Sequence, residues 1–251
     1  TYIKWAVVCE LIHSASLLHD DVCDKDLYRR GRLTVWKEFG IPAAICTGDY
    51  LIAESFKKIT EISQGWHQTI LLKLLSSSVK DIVFGQSVDV SVDSVLLDWA
   101  NYQKIAIKKT GPLIMLPIMG MFKCKEFDGD ECIALKQISE NLGLAYQWVN
   151  DIENFVGHGQ EPFSDLIYGH PNAIIIKFLE QYSLKDREKF RDIKVLRKVL
   201  LNHDFKNTID EIKNLLSESM VAVHRLPIVI QSIVINIKEE MMLRVDKHEK
   251  N

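Results

Sequence analysis

The feature that most narrows the fold is a spacing. Over long stretches, apolar residues return every three or four positions, and "DECIALKQISENLGLAYQWVNDIENFV" (130–156) holds this period from end to end. That is the stripe of an amphipathic α-helix, not the alternation of a strand. The same period runs through 43–59, 69–90 and 98–122, the last with Pro112 and Pro117 as expected kinks. Before them, Leu11, Ala15 and Leu18 mark a helix running into "HDDVCD" (19–24). Three further helices are expected in "PNAIIIKFLEQY", "EKFRDIKVLRKVLLN" and "KNTIDEIKNLLSESMVAVHRLP". Only 12 Gly and 6 Pro punctuate 251 residues, with loops expected at 61–67, 123–129, 157–171 and 202–207. No segment keeps a clean strand period. The expected fold is a single all-α domain over 1–251 with a charged tail, "DKHEKN".

Composition removes several classes of function. Hydrophobic residues at 47% and charged residues at 26% are those of an ordinary globular chain. A formal charge of −3 gives no footprint for nucleic acid. The richest apolar run, "PLIMLPIMGMF" (112–122), falls short of the roughly 18 residues of a membrane span. Five cysteines, an odd number without a CxxC pair, imply free thiols in a reducing compartment. The cytoplasm is the expected location.

Against this bland background, Asp20, Asp21 and Asp24 stand together, with Arg29 and Arg30 shortly after. On a helix Asp20 and Asp24 share a face, with Asp21 beside them. Like charges so placed repel, and the arrangement costs stability unless a cation joins it. Mg²⁺ typically takes one or two carboxylates plus substrate phosphates, and the arginines are suited to phosphate oxygens. A solvated acidic helix end followed by a basic turn accounts for the aspartates alone equally well.

The wider spelling decides the matter. "LIHSASLLHDDVCDKDLYRRGRLTVWKEFGIPAAICTGDYLIAESF" resembles the trans-isoprenyl diphosphate synthases, or polyprenyl synthetases. Their pattern is DDxxD on a helix, then RRG, a T-V-[HW]-x-x-[FY]-G stretch and a GD-[YF]-L helix. "FGQSVDV" resembles the family's G-Q-x-x-D element, giving Gly85, Gln86 and Asp89. "YQKIAIKKTGPLI" resembles the family's tyrosine-to-K-T-[GA] element, giving Lys109 and Thr110, and "GLAYQWVNDIENF" resembles G-x-A-[FY]-Q-x-x-D-D-x-x-D. "HRLP" (224–227) resembles part of the C-terminal helix pair, so the likeness covers nearly the whole chain.

The resemblance implies an all-α bundle of long helices around a central apolar cavity. It also implies an Mg²⁺-dependent transfer of an allylic prenyl diphosphate to isopentenyl diphosphate or a specialised acceptor. Asp20, Asp21 and Asp24 match the first metal motif, and Asp151 is the remaining acidic match of the second. Arg29 would contact the allylic diphosphate; Arg30 and His13 match positions that hold isopentenyl diphosphate. Lys109, Thr110 and Gln147 match positions around the ionising bond. Ala15 and Ser16, just upstream of the aspartates, occupy the family's chain-length positions. Both are small, which favours a product longer than a ten- or fifteen-carbon chain. A homodimer is expected.

The second motif departs from the pattern. DDxxD has become "NDIEN", with Asn150, Asp151 and Asn154. In "GQEPFSDLIYGHP", Glu161 stands at the usual lysine position and His170 at a second basic position. The family's G-G-K-x-x-R-P element has no counterpart before "TYIKWAVVCE", as a truncated N-terminus would leave it. Two other readings follow. "NDIENFVGH" partly resembles the NDxxSxxxE motif of class I terpene cyclases, with His158 where the glutamate belongs. A regulatory subunit of a hetero-oligomeric synthase is the other; the intact first motif and RRG argue against it.

Overall fold

The computed structural model describes residues 2–62, 66–123, 129–157, 163–201 and 206–249. As the apolar period requires, it is an all-α bundle. Helix α1 (Tyr2–Cys23) leads through a small hairpin, β1 (Tyr28–Arg29) and β2 (Arg32–Leu33), into one-turn α2 (Val35–Phe39). The long helices α3 (Ile41–Thr60), α4 (Trp66–Asp89), α5 (Trp99–Lys123) and α6 (Gly129–Val156) follow. Shorter elements come next: α7 (Ser164–Tyr168), α8 (Ala173–Leu179), α9 (Leu184–Arg187), α10 (Ile193–Leu200) and α11 (Lys206–Glu218). The long α12 (Ile228–Glu249) closes the chain.

The differences from the sequence-based expectation are local. The hairpin pairs Tyr28 with Leu33 and Arg29 with Arg32. Its turn is Arg30–Gly31, both left-handed at φ 52° and 76°, as a two-residue hairpin turn demands. Strands this short have no period to read. Pro112 and Pro117 both lie inside α5, which runs on through them. The expected loop at 157–171 contains α7, and Asn172, whose side chain accepts from the Ile174 N–H, opens α8. The stretch read as one helix around 188–202 divides into a 3-10 turn and α10, because Asp192 turns extended and caps Lys194. The helix read over 206–227 likewise ends at Glu218, with a 3-10 turn at Val223–Arg225.

Helix α5 is the axis of the site. Helices α4 and α6 pack along it, while α1 packs on α3 and reaches α5 at its far end, where the Trp5 indole donates to the Pro117 carbonyl at 3.1 Å. One apolar core gathers around α5, α6 and the later helices, including Leu135, Ile138, Ile174 and Leu216. A second joins α1, α3, α4 and α5 through Val8, Ile12, Ile59, Leu75 and Leu116. An apolar hollow of about 350 Å³ lies between α5, α6 and α12. No helix among the described residues is long and apolar enough to cross a membrane. The described cysteines Cys9, Cys23, Cys46 and Cys132 are free thiols; Cys124 lies outside the described residues.

Two glycines bring α4 and α6 close to α5 at neighbouring positions. A Cβ on Gly85 would lie 2.6 Å from the Lys109 nitrogen, and one on Gly143 would lie 2.8 Å from Gly111. Backbone meets backbone on both sides of Lys109–Thr110, which lets short side chains span the gaps. Ala is the better helix former by roughly 1 kcal/mol, yet forcing a methyl into such contacts costs typically 1–3 kcal/mol. The Gly143→Ala variant is therefore expected to melt about 2–8 °C lower, by the size scaling of Tm. Thermal unfolding followed by circular dichroism checks this; an unchanged or higher Tm would show that the helices do not meet backbone to backbone there.

Candidate active site

The end of α1 delivers two carboxylates to one ammonium. Lys109 Nζ, on α5, lies 3.4 Å from Asp20 Oδ1 and 3.7 Å from Asp24 Oδ2. It donates to Asp89 Oδ2, on α4, at 2.9 Å. Burial draws the Lys109 pKa down, but Asp20, Asp24 and Asp89 outweigh it and hold it well above the ordinary lysine value. Three carboxylates against one ammonium leave the cluster short of positive charge. The strain shows at Asp24: burial first, then the charge of Asp20, pushes its carboxyl well above the usual range. Its Oδ1 is buried without a hydrogen-bond partner.

Asp21 faces the other way. It is 4% exposed, and Arg29 Nε donates to its Oδ1 at 2.5 Å. Arg29 also reaches Asp26 Oδ2 at 3.3 Å, while Thr34 and Trp36 both donate to the Asp26 carbonyl. The RRG motif thus clips the hairpin onto the helix end. Arg30 sits exposed in the turn itself. His13 lies half-buried on α1, about two turns before Asp20 and hence on a similar face. Ala15 is buried, and the Ser16 hydroxyl donates to the His13 carbonyl at 2.8 Å.

The facing motif on α6 is built differently. Asp151, 1% exposed, receives Tyr102 Oη at 2.5 Å and the Ala173 N–H at 2.7 Å on Oδ2, and Gln147 Nε2 at 2.9 Å on Oδ1. Burial pushes its pKa up to about 6 although these donors pull the other way. Thr110 Oγ1 donates to Gln147 Oε1 at 3.4 Å, extending the chain of bonds to the residue beside Lys109. Asn172 Nδ2 bonds the Asp151 carbonyl at 3.0 Å and Asp165 Oδ2 at 2.8 Å. Burial and the Asp151 charge hold Asp165 well above the usual carboxyl range.

Both asparagines of "NDIEN" are engaged as well. Asn150 Oδ1 accepts from Arg244 Nη2, on α12, at 2.7 Å, and Glu153 takes the same guanidinium at 2.7 and 3.0 Å. Asn154 accepts from the Asp165 N–H at 3.0 Å and donates to Ser164 Oγ at 2.5 Å, seating α7. The structure therefore brings Asp20, Asp24 and Lys109 together, with Thr110 and Gln147 adjoining. It gives Asp151 three donors, directs Asn150 toward α12 and leaves Arg30 outside the cluster. His158 and Glu161 lie outside the described residues. Tyr102, Asp165 and Asn172 are site residues that the sequence reading did not single out. Asp89 matches the G-Q-x-x-D element in sequence, and the packing of α4 on α5 brings it to Lys109.

Among the described residues, no three His, Cys, Asp or Glu side chains are grouped so as to hold a metal ion by themselves. The donor set at Asp20 and Asp24 nonetheless fits Mg²⁺: hard carboxylate oxygens, one of them unpartnered, on an ion that keeps positions for phosphate and water.

A family model described as polyprenyl synthetase matches residues 1–212. A short chain isoprenyl diphosphate synthase of Methanocaldococcus jannaschii is 31% identical over 216 residues, covering 83% of this chain and 64% of that protein. A geranylgeranyl diphosphate synthase of Saccharolobus solfataricus is 30% identical over 194 residues, 74% of this chain and 58% of that one. The chain thus spans less than two-thirds of the length of these curated relatives. Among solved structures, a decaprenyl diphosphate synthase from Rhodobacter capsulatus superimposes with a TM-score of 0.83 at 21% identity, over 97% of this chain and 79% of that one. A heptaprenyl diphosphate synthase from Staphylococcus aureus gives 0.81 at 24% identity, over 95% and 79%. Fold, motif order and sequence agree, and the chain belongs to the polyprenyl synthetase family.

Proposed function

We propose that the protein is a prenyltransferase that ionises an allylic prenyl diphosphate and joins the cation to isopentenyl diphosphate. The observation that carries this reading is the cluster at Lys109, where three carboxylates surround one ammonium and a buried Asp24 oxygen has no partner. Such a cluster is suited to a ligand that brings both cations and phosphate oxygens.

Asp20 and Asp24 would hold Mg²⁺ together with the substrate diphosphate, and the bound ion would draw charge off the leaving group. Lys109, charged throughout the physiological range, adds a fixed cation beside the same oxygens as negative charge develops on them. Arg29, tied to Asp21 and Asp26, holds the hairpin and presents its outer edge to phosphate. Thr110 and Gln147 set dipoles beside the breaking bond, oriented through Asp151 and Tyr102. His13 and the exposed Arg30 are the proposed contacts for isopentenyl diphosphate. Small Ala15 and Ser16 leave the path below the diphosphate open, in favour of a longer product. The engaged amides of Asn150 and Asn154 speak against a second, cyclase-type metal motif on α6. Exposed Ile41 and Ile45 on α3 and Phe84 on α4 suit a homodimer contact. The free thiols suit a reducing compartment, and we place the activity in the cytoplasm.

Product analysis by mass spectrometry tests this directly. With Mg²⁺, allylic diphosphates should be elongated only when isopentenyl diphosphate is present. Hydrocarbon release from the allylic substrate alone would instead make the protein a cyclase. Steady-state kinetics of Asp20→Ala should show at least a 100-fold loss of kcat, the scale of removing one preorganised transition-state contact; near-wild-type turnover would sink the proposal. Asn150→Asp keeps a partner in Arg244 and is expected to turn over as fast as wild type or faster. A large loss there would mean that the neutral amide itself is required.

A further inference from the structure

The α6 motif carries its polar side chains in two neighbouring stripes. Tyr146, Asn150 and Glu153 follow one another at i, i+4 and i+7, and Gln147, Asp151 and Asn154 do the same one position on. The second stripe is filled from within the protein. Asp151 accepts from Tyr102, Ala173 and Gln147. Asn154 turns its carbonyl oxygen to the Asp165 N–H and its amide nitrogen to Ser164. The resemblance implies metal ligands on α6 as well as on α1, and this stripe does not fit them. Its acceptors already face donors, and Asp151 is buried among them.

The first stripe meets one cation from the last helix. Arg244, on α12, donates to Glu153 from Nε at 3.0 Å and from Nη2 at 2.7 Å, and the same Nη2 donates to Asn150 Oδ1 at 2.7 Å. Its guanidinium carbon lies 5.0 Å from the centre of the Tyr146 ring, within cation–π range. Arginine stays charged at any working pH. The charges of this group therefore close, with one guanidinium against one carboxylate and a neutral amide beside them. A divalent ion on Asn150 Oδ1 would sit next to that fixed cation, and like charges at such range repel. A carboxylate at 150 without the arginine would instead stand beside Glu153 unneutralised, a pair of hard oxygen donors suited to a divalent ion.

We propose that Arg244 is the resident cation of the α6 motif, standing where a metal ion would, and that the protein gathers metal for a diphosphate through α1 alone. The inference rests on the diphosphate reading above. It gives the amide at 150 a physical reason: Glu153 and Asn150 share one guanidinium with no charge left over. It also gives α12 a part in the site. Arg244 is a positioning residue that keeps the Asn150 face of α6 turned to α12. Asp20 and Asp24, which share one ammonium with Asp89, keep the charge that a metal can answer.

Counting bound metal tests this. The full chain is dialysed to equilibrium against Mn²⁺ and inorganic pyrophosphate, and free Mn²⁺ is read by electron paramagnetic resonance; Mn²⁺ takes the same oxygen ligands as Mg²⁺. Wild type, Asn150→Asp and Asp151→Asn should bind equal numbers of ions per chain, because Arg244 answers a new carboxylate at 150 and Asp151 holds no ion. Asn150→Asp combined with Arg244→Gln should bind about one ion more, since the carboxylates at 150 and 153 then lack their cation. A gain in Asn150→Asp alone, a loss in Asp151→Asn, or no gain in the folded double variant would each overturn the proposal. Should the double variant fail to fold, the counts of the two single variants decide. No uptake of Mn²⁺ with pyrophosphate by wild type would remove the diphosphate reading itself, and this proposal with it. Uptake by wild type with any of the contrary counts would remove only the role of Arg244.

Discussion

The arrangement of the site depends on one ammonium, Lys109, held among Asp20, Asp24 and Asp89. It ties the end of α1 and the end of α4 to the middle of α5, so three helices converge where the chemistry is proposed. The tie is an incomplete one. A single cation cannot neutralise three carboxylates in a buried setting, where charge interactions are strong. The protein tolerates the remainder because the surrounding helices are fixed by apolar packing and by backbone contacts at Gly85 and Gly143. Stability spent at this point is the kind of local conflict expected at functional sites.

The two aspartate-rich motifs have diverged in physical character. At the end of α1, Asp20 and Asp24 are under mutual repulsion, and an oxygen of Asp24 is left unpartnered. On α6, Asp151 is surrounded by Tyr102, Gln147 and Ala173, and the two asparagines bind α12 and α7. Replacing carboxylates by amides at 150 and 154 suits that role: an amide both donates and accepts, and it adds no charge beside Asp151 and Asp165. One motif leaves carboxylate charge unmet, while the other holds neighbouring helices in place.

Much of this was legible in the sequence. The helical period marked α3 to α6 nearly end to end, because amphipathic stripes of that length have no competing reading. The DDVCD and RRG spellings located Asp20, Asp24 and Arg29, and the likeness of "KKTGPL" located Lys109. The partners were not legible. That Asp21 turns to Arg29 while Asp20 and Asp24 turn to Lys109 follows from helix rotation and the hairpin, whose two-residue strands carry no pattern. Asp89 and Tyr102 act across elements far apart in sequence, and only packing brings them to Lys109 and Asp151. The bond from Arg244 to Asn150 joins α12 to α6 in the same way, and no local signal announces it.

Burial and the charge of Asp20 work against the ionised form of Asp24, so folding disfavours its carboxylate. A carboxyl whose pKa is raised by folding penalises the folded state as pH climbs above the unfolded value near 3.9, and an asparagine escapes that penalty. Thermal unfolding of metal-free wild type and Asp24→Asn from pH 4 to 7.5 measures it. Tm values should be similar near pH 4 and the variant about 2–8 °C more stable at pH 7.5, the shift that 1–2 kcal/mol gives at this size. A variant equally or less stable than wild type at pH 7.5 would contradict it.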